Sequence, residues 1–133
     1  MLRPLLRLFL LAAILAGLSA CGALRVQTPQ PTPTPKVIQV SADEIALAMQ
    51  EDHFFADYNG YSLDVQGTVT AVSLQKDHYV LELATQIDTK VMCEFGSQAP
   101  GVKTGDSITV RSMDASQALR APNAVILVNC SMP

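Results

Sequence analysis

The side chains best suited to chemistry in this chain are three cysteines, Cys21, Cys93 and Cys130, and two histidines, His53 and His78. A catalytic Cys93 would need a histidine base and an orienting acid close by. No spacing in the sequence ties either histidine to it. A zinc site built from Cys93, Cys130 and the histidines lacks the C-x-x-C or H-x-x-x-H pairs that set two ligands on one local element. The acids Asp43, Glu44, Glu51 and Asp52 occur as adjacent pairs, and adjacent residues on a helix do not share a face, so they read as solvated surface. The chain also lacks a phosphate loop, a serine nucleophile elbow and a dinucleotide fingerprint. The expectation is a protein without catalytic residues, metal or cofactor.

Cys21 stands apart from the other two. Two arginines and no acid occupy residues 1–7, residues 8–18 are apolar or small, and Ser19 and Ala20 are small. This is the order of an export signal, and its apolar run is about half the length that spans a membrane. Leu18-Ser19-Ala20-Cys21 matches the lipobox of bacterial lipoproteins. That resemblance implies a thioether-linked diacylglycerol on Cys21, cleavage before it, and anchoring by fatty-acyl chains such as palmitate. Cysteine is required there because its nucleophilic sulfur carries the lipid, and two or three acyl chains anchor far better than one. The expected location is the cell envelope, outside the cytoplasm, with the membrane reached through Cys21.

Once Cys21 is assigned to lipid, Cys93 and Cys130 remain as an even pair in an exported protein, which favours one disulfide over two free buried thiols. Of nine basic residues, Arg3 and Arg7 lie in the leader, which leaves seven against twelve acids and a formal charge of −5 after residue 20. Nucleic-acid binding rests on neutralising phosphates, so this balance argues against nucleic acid as a partner.

The residues that could act must be positioned by three segments: a leader over 1–20, a lipidated cysteine and linker over 21–36, and a domain over 37–133. Pro29, Pro31, Pro33 and Pro35 alternate with polar residues and hold the linker near polyproline II. Its central stretch would hold a domain about 30 Å off a surface. In the domain, Ser41-Ala42-Asp43-Glu44 reads as a capping box that opens a helix over about 42–56, with Ile45, Ala48, Met49 and Ala56 on one apolar stripe, flanked by Leu47, Phe54 and Phe55. Asn59-Gly60 ends it. From Tyr61 the period falls to two: YSLDVQGTVTAV, HYVLELA, TKVMCEF, SITVR and AVILVNC predict five strands, the first long and coiled at Gly67. No helical segment separates the strands, which excludes a doubly wound parallel sheet. The predicted fold is mainly β with one N-terminal helix, a five-stranded OB-like Greek-key barrel, with a small open sandwich or SH3-like roll as the other closure.

The segments ADYNGYSLDVQGTVTAV, VMCEF, VKTGDSITV and VILVNC together resemble the tRNA-anti-like OB-fold lipoprotein family over about residues 40–131. Tyr58-Asn59-Gly60-Tyr61 departs from the basic lead-in of that family, as does the absence of a glycine-cysteine after the fourth strand. In OB folds, ligands meet the face of strands two and three with the loops after strands one and four. Here that covers residues 75–79, 89–94 and 112–123, with Tyr61, Tyr79, Lys90 and Arg120 as the candidate contacts. The leading expectation is a non-enzymatic envelope lipoprotein that binds a protein or small ligand. The alternatives are an oligonucleotide- or oligosaccharide-binding module and a hydrolase with an unrecognised site.

Overall fold

The computed structural model describes residues 28–133, so the leader and the lipobox Leu18–Cys21 lie outside the described residues. The unit Pro33–Pro133 holds β1 (Val37–Ser41), α1 (Ala42–Gln50), α2 (Phe54–Tyr58), β2 (Ser62–Gln75), β3 (His78–Leu83), β4 (Lys90–Glu94) and β5 (Ser107–Ser112). A 3-10 turn (Ala115–Gln117), β6 (Leu119–Ala121), β7 (Ala124–Leu127) and β8 (Cys130–Ser131) complete it.

The capping box forms as the sequence predicts. The Ser41 hydroxyl accepts from the Glu44 amide at 3.2 Å, and the Ser41 amide donates to the Glu44 carboxylate at 2.6 Å. These bonds from Ser41 hold the Glu44 carboxyl below its ordinary value. The single helix expected over 42–56 is instead two. Asp52 takes a left-handed φ of 63°, its amide donates to Met49 O, and the His53 amide donates back to Ala48 O at 2.9 Å. This pair of bonds is a Schellman closure, a motif that usually has glycine at the left-handed position. The break turns Phe54 fully into the core and leaves Leu47, Phe55 and Ala56 exposed, so these three are not core residues.

The sheet is mixed and has eight strands where five were expected, in the order β6-β7-β4-β3-β2-β5-β8, with β1 parallel to β2. The lead-in Val37–Ser41 becomes a strand because it finds the first half of β2. The segment expected as a polar loop contributes β6, which pairs with β7 across Pro122-Asn123, where Asn123 has φ 55°. Proline followed by a left-handed asparagine suits the two central positions of a tight turn. The expected last strand is split, because Asn129 at φ 52° interrupts the ladder between β7 and β8. Paired strand by strand, the path therefore ends at β6 and at β8, and the five-stranded closed barrel is not what the ladder alone displays.

β2 spans fourteen residues and changes partners along its length. Ser62–Gln66 lies between β1 and β5, and Val69–Gln75 pairs with β3, with a register shift between Val69 and Ala71. The bulge sits there and not at Gly67. Gly67 serves close approach instead: a Cβ on it would lie 3.3 Å from the Cβ atoms of Ala42 and Leu83. Ile45, Phe54, Leu63, Val65, Leu81 and Leu127 anchor the one core, on which α1 lays Ala42, Ile45, Ala46, Ala48 and Met49.

The candidate ligand face and the thiol pair

Cys93 lies on β4, between Leu81 of β3 and Leu127 of β7, and Cys130 opens β8 beside Ser112. Both are buried free thiols in this structure, and Cys130 lies close enough to act on the titration of Cys93. The Cys130 thiol also donates to Leu127 O at 3.4 Å. The bond to Cys130, then burial, then the charge Cys130 can carry push the Cys93 thiol well above its ordinary value. A thiol held protonated is a poor nucleophile. The two cysteines paired in the sequence analysis thus lie near each other, Cys93 on β4 beside β7 and Cys130 on β8, which follows β7 in the chain and pairs with β5. A cavity of about 510 Å³ opens beside Cys130, lined by Phe95, the loop 96–100 and residues 130–132.

The histidines sit elsewhere. His53 is half-buried between Glu51 and Asp57, whose carboxylates, Glu51 first, raise its pKa. His78 faces Asp77 at 3.5 Å and Glu94 at 3.8 Å. Among the described residues there is no cluster of three or more metal-ligating side chains, and no helix is long and apolar enough to cross a membrane.

The four candidate contact residues do not form one site. Tyr79 is half-buried against the core: it pairs with Leu74, its amide donates to Gly96 O, and its carbonyl accepts from Phe95. Tyr61 also packs on the core, just before β2, and its carbonyl accepts from Ala115 at 2.9 Å. Lys90 and Arg120 both flank β7 but project from opposite faces of the sheet, because Lys90 pairs with Ala124 and Arg120 with Val125, successive residues whose side chains alternate. Both are neutralised locally: Lys90 lies 3.1 Å from Glu82, and Arg120 bonds to Asp52 and to the Met49 sulfur. A cavity of about 230 Å³ lies beside Arg120, lined also by Met49, Gln50, Thr89 and Asn123.

Sequence reasoning missed these ion pairs and a third, in the sheet itself. Arg111 of β5 grips Asp64 of β2 through two bonds of 2.7 Å, in register across the ladder. Arg111 holds the Asp64 carboxyl below its ordinary value, and Asp64 in turn raises Arg111. No local signal announces the pair, because the two residues meet only through strand register.

Fold and geometry define a mainly β domain with two short helices and a mixed eight-stranded sheet, carrying two buried thiols. No family model matches the chain, and no curated protein matches it. Among solved structures it is similar to a lipoprotein from Klebsiella pneumoniae subsp. pneumoniae, provisionally described as nucleic acid-binding. The two share 12% identity with a TM-score of 0.57, over 73% of this chain and 92% of that one. At that identity the likeness is one of fold. It nonetheless corrects the expectation drawn from charge: a chain of this fold is described as binding nucleic acid, so a net charge of −5 after residue 20 does not rule that partner class out. Net charge sums over the whole surface, whereas binding depends on local groups.

Proposed function

We propose that this protein is a lipid-anchored, non-enzymatic binding module of the bacterial cell envelope. The observation that carries the reading is the fold shared over 92% of the Klebsiella lipoprotein. The lipobox Leu18-Ser19-Ala20-Cys21 agrees with it from the sequence side. We read the sheet as an OB-type barrel of the tRNA-anti-like kind. β7 pairs with β4 and β8 with β5, and only Val128 and Asn129 separate β7 from β8, so the covalent step between them seals the seam that the ladder leaves open.

Cys93 and Cys130 lie at that seam, and we read them as the site of a disulfide. On closure the two thiols pass two protons and two electrons to a disulfide-bearing exchange partner, whose own disulfide becomes two thiols. Tying off the chain from Cys93 to Cys130 would add about 4 kcal/mol in the chain-entropy account.

The ligand is read as an envelope protein or small molecule that meets the outer β3–β4 face beside Lys90 and the sheet edge at Arg120. The Klebsiella neighbour favours a second reading, a single-stranded oligonucleotide on the same face. The test is fluorescence anisotropy on the purified full chain in detergent, with single-stranded DNA, single-stranded RNA and an oligosaccharide as probes. The second reading predicts nucleic-acid binding that weakens steeply with salt and that Lys90→Glu and Arg120→Glu abolish. Envelope cross-linking then tests the first reading. Recovery of the same protein with the wild-type chain and not with the two charge-reversed variants supports it, and recovery of none overturns it.

A further inference from the structure

We propose that the outer half of β2, Thr70–Gln75, is a docking edge for a second copy of this chain, the two strands pairing antiparallel about a two-fold axis at Ser73. β2 has neighbours on both edges only as far as Val69. The last bonds on the β5 side run from the Val69 amide to Asp106 O at 2.9 Å and from the Gly105 amide to Val69 O at 2.8 Å. Beyond them β3 is the single neighbour, and among the described residues no backbone partner occupies the other edge. All six residues are exposed, Val72 at 37% and Leu74 at 59%.

An uncovered strand edge is a template for another strand, and proteins usually guard it with lysine, proline, a bulge or a covering segment. From Val65 to Gln75 this strand has neither a charge nor a proline. Its one bulge, between Val69 and Ala71, lies at the base of the free stretch and leaves the rest unguarded.

The composition of the edge points to self-pairing. In an isologous contact every residue near the axis meets its own kind or its near neighbour, so a single charge there would face itself. With Ser73 on the axis, Val72 of each copy meets Leu74 of the other, and Gln75 meets Ala71. The first charge, Lys76, falls opposite Thr70, next to Val69, whose amide donates to Asp106 O, so Lys76 of each copy comes to the strand position beside acidic Asp106 of the other. Asp77 stays with its own His78 at the hairpin tip.

The experiment uses the full chain in cells. Ser73→Cys is expressed, the envelopes are oxidised, and cross-linked peptides are identified by mass spectrometry, with Thr68→Cys, on the stretch flanked by β5, as the comparison. The expected result is a dimer linked from position 73 to position 73, absent for Thr68→Cys and reduced about tenfold when Leu74→Glu is added. Envelope levels of each variant, read by immunoblot, show that it is folded and exported. Three results would overturn the proposal: no dimer from Ser73→Cys in chains present at wild-type level, a dimer insensitive to Leu74→Glu, or a link from position 73 to a different protein.

Discussion

The two halves of β2 are built from similar residues and have opposite fates. In the first half Leu63 and Val65 are fully buried, and in the second Val72 and Leu74 are exposed. Hydropathy does not distinguish them, since both halves alternate apolar and polar side chains. Strand partners do: the first half lies between β1 and β5 beneath the helices, while the second has only β3. Burial in a sheet is thus conferred by neighbours, and an apolar strand that outruns them presents an apolar edge.

The largest effect should come from truncating the same residue type in each half. Leu63→Ala removes a fully buried side chain and should cost about 3 kcal/mol. Leu74→Ala should change stability by less than about 0.5 kcal/mol. Thermal unfolding of dilute full chain, followed by circular dichroism, checks both; equal losses would erase the distinction.

Next in size is Asp64, on the outward face of the first half. Asp64→Ala removes two charge-assisted bonds and should cost about 2 kcal/mol. Because Arg111 lowers the folded-state pKa of Asp64, the pair stabilises fully above the ordinary carboxylate value. That contribution is lost as pH falls through the lowered, folded-state value. The wild-type chain should therefore lose stability faster than Asp64→Ala on acidification through that window, with denaturant midpoints against pH as the readout.

The hinge between the halves should respond less. Gly67→Ala sets a methyl against the Ala42 and Leu83 Cβ atoms and should cost about 1 kcal/mol. Removing the cap hydroxyl in Ser41→Ala should cost about 1 kcal/mol as well. Chemical denaturation measures both, and a stabilising Gly67→Ala would show that α1 can move away from β2.

What was legible in the sequence follows the same division. The capping box at Ser41 and Glu44 and the turn at Gln75–Asp77 are local devices with local signatures, and the structure has both. The break at Asp52 was hidden because an aspartate stands where a glycine would announce the Schellman closure. β6 was hidden behind Pro122-Asn123, read as loop, though that dipeptide suits a tight turn between strands. The parallel pairing of β1 and the Asp64–Arg111 grip depend on register between distant segments, which no local pattern encodes. Among candidate contacts, Lys90 and Arg120 both neighbour β7 but on opposite faces, a separation that depends on register and that no local pattern announces. Tyr61 and Tyr79 face the core because their aromatic rings have apolar surface to bury.

Hydrogen exchange of the full chain, read by mass spectrometry on peptides from each half of β2, tests the contrast most directly. The amides of Ser62–Thr68 should exchange slowly at every protein concentration. Within Thr70–Gln75, the amides bonded to β3 should stay protected, while those that point away from β3 should exchange fast in dilute solution and slow as concentration rises. Protection of these outward amides that is independent of concentration, or rapid exchange in the inner half, would contradict the division of β2 into a buried strand and a free edge.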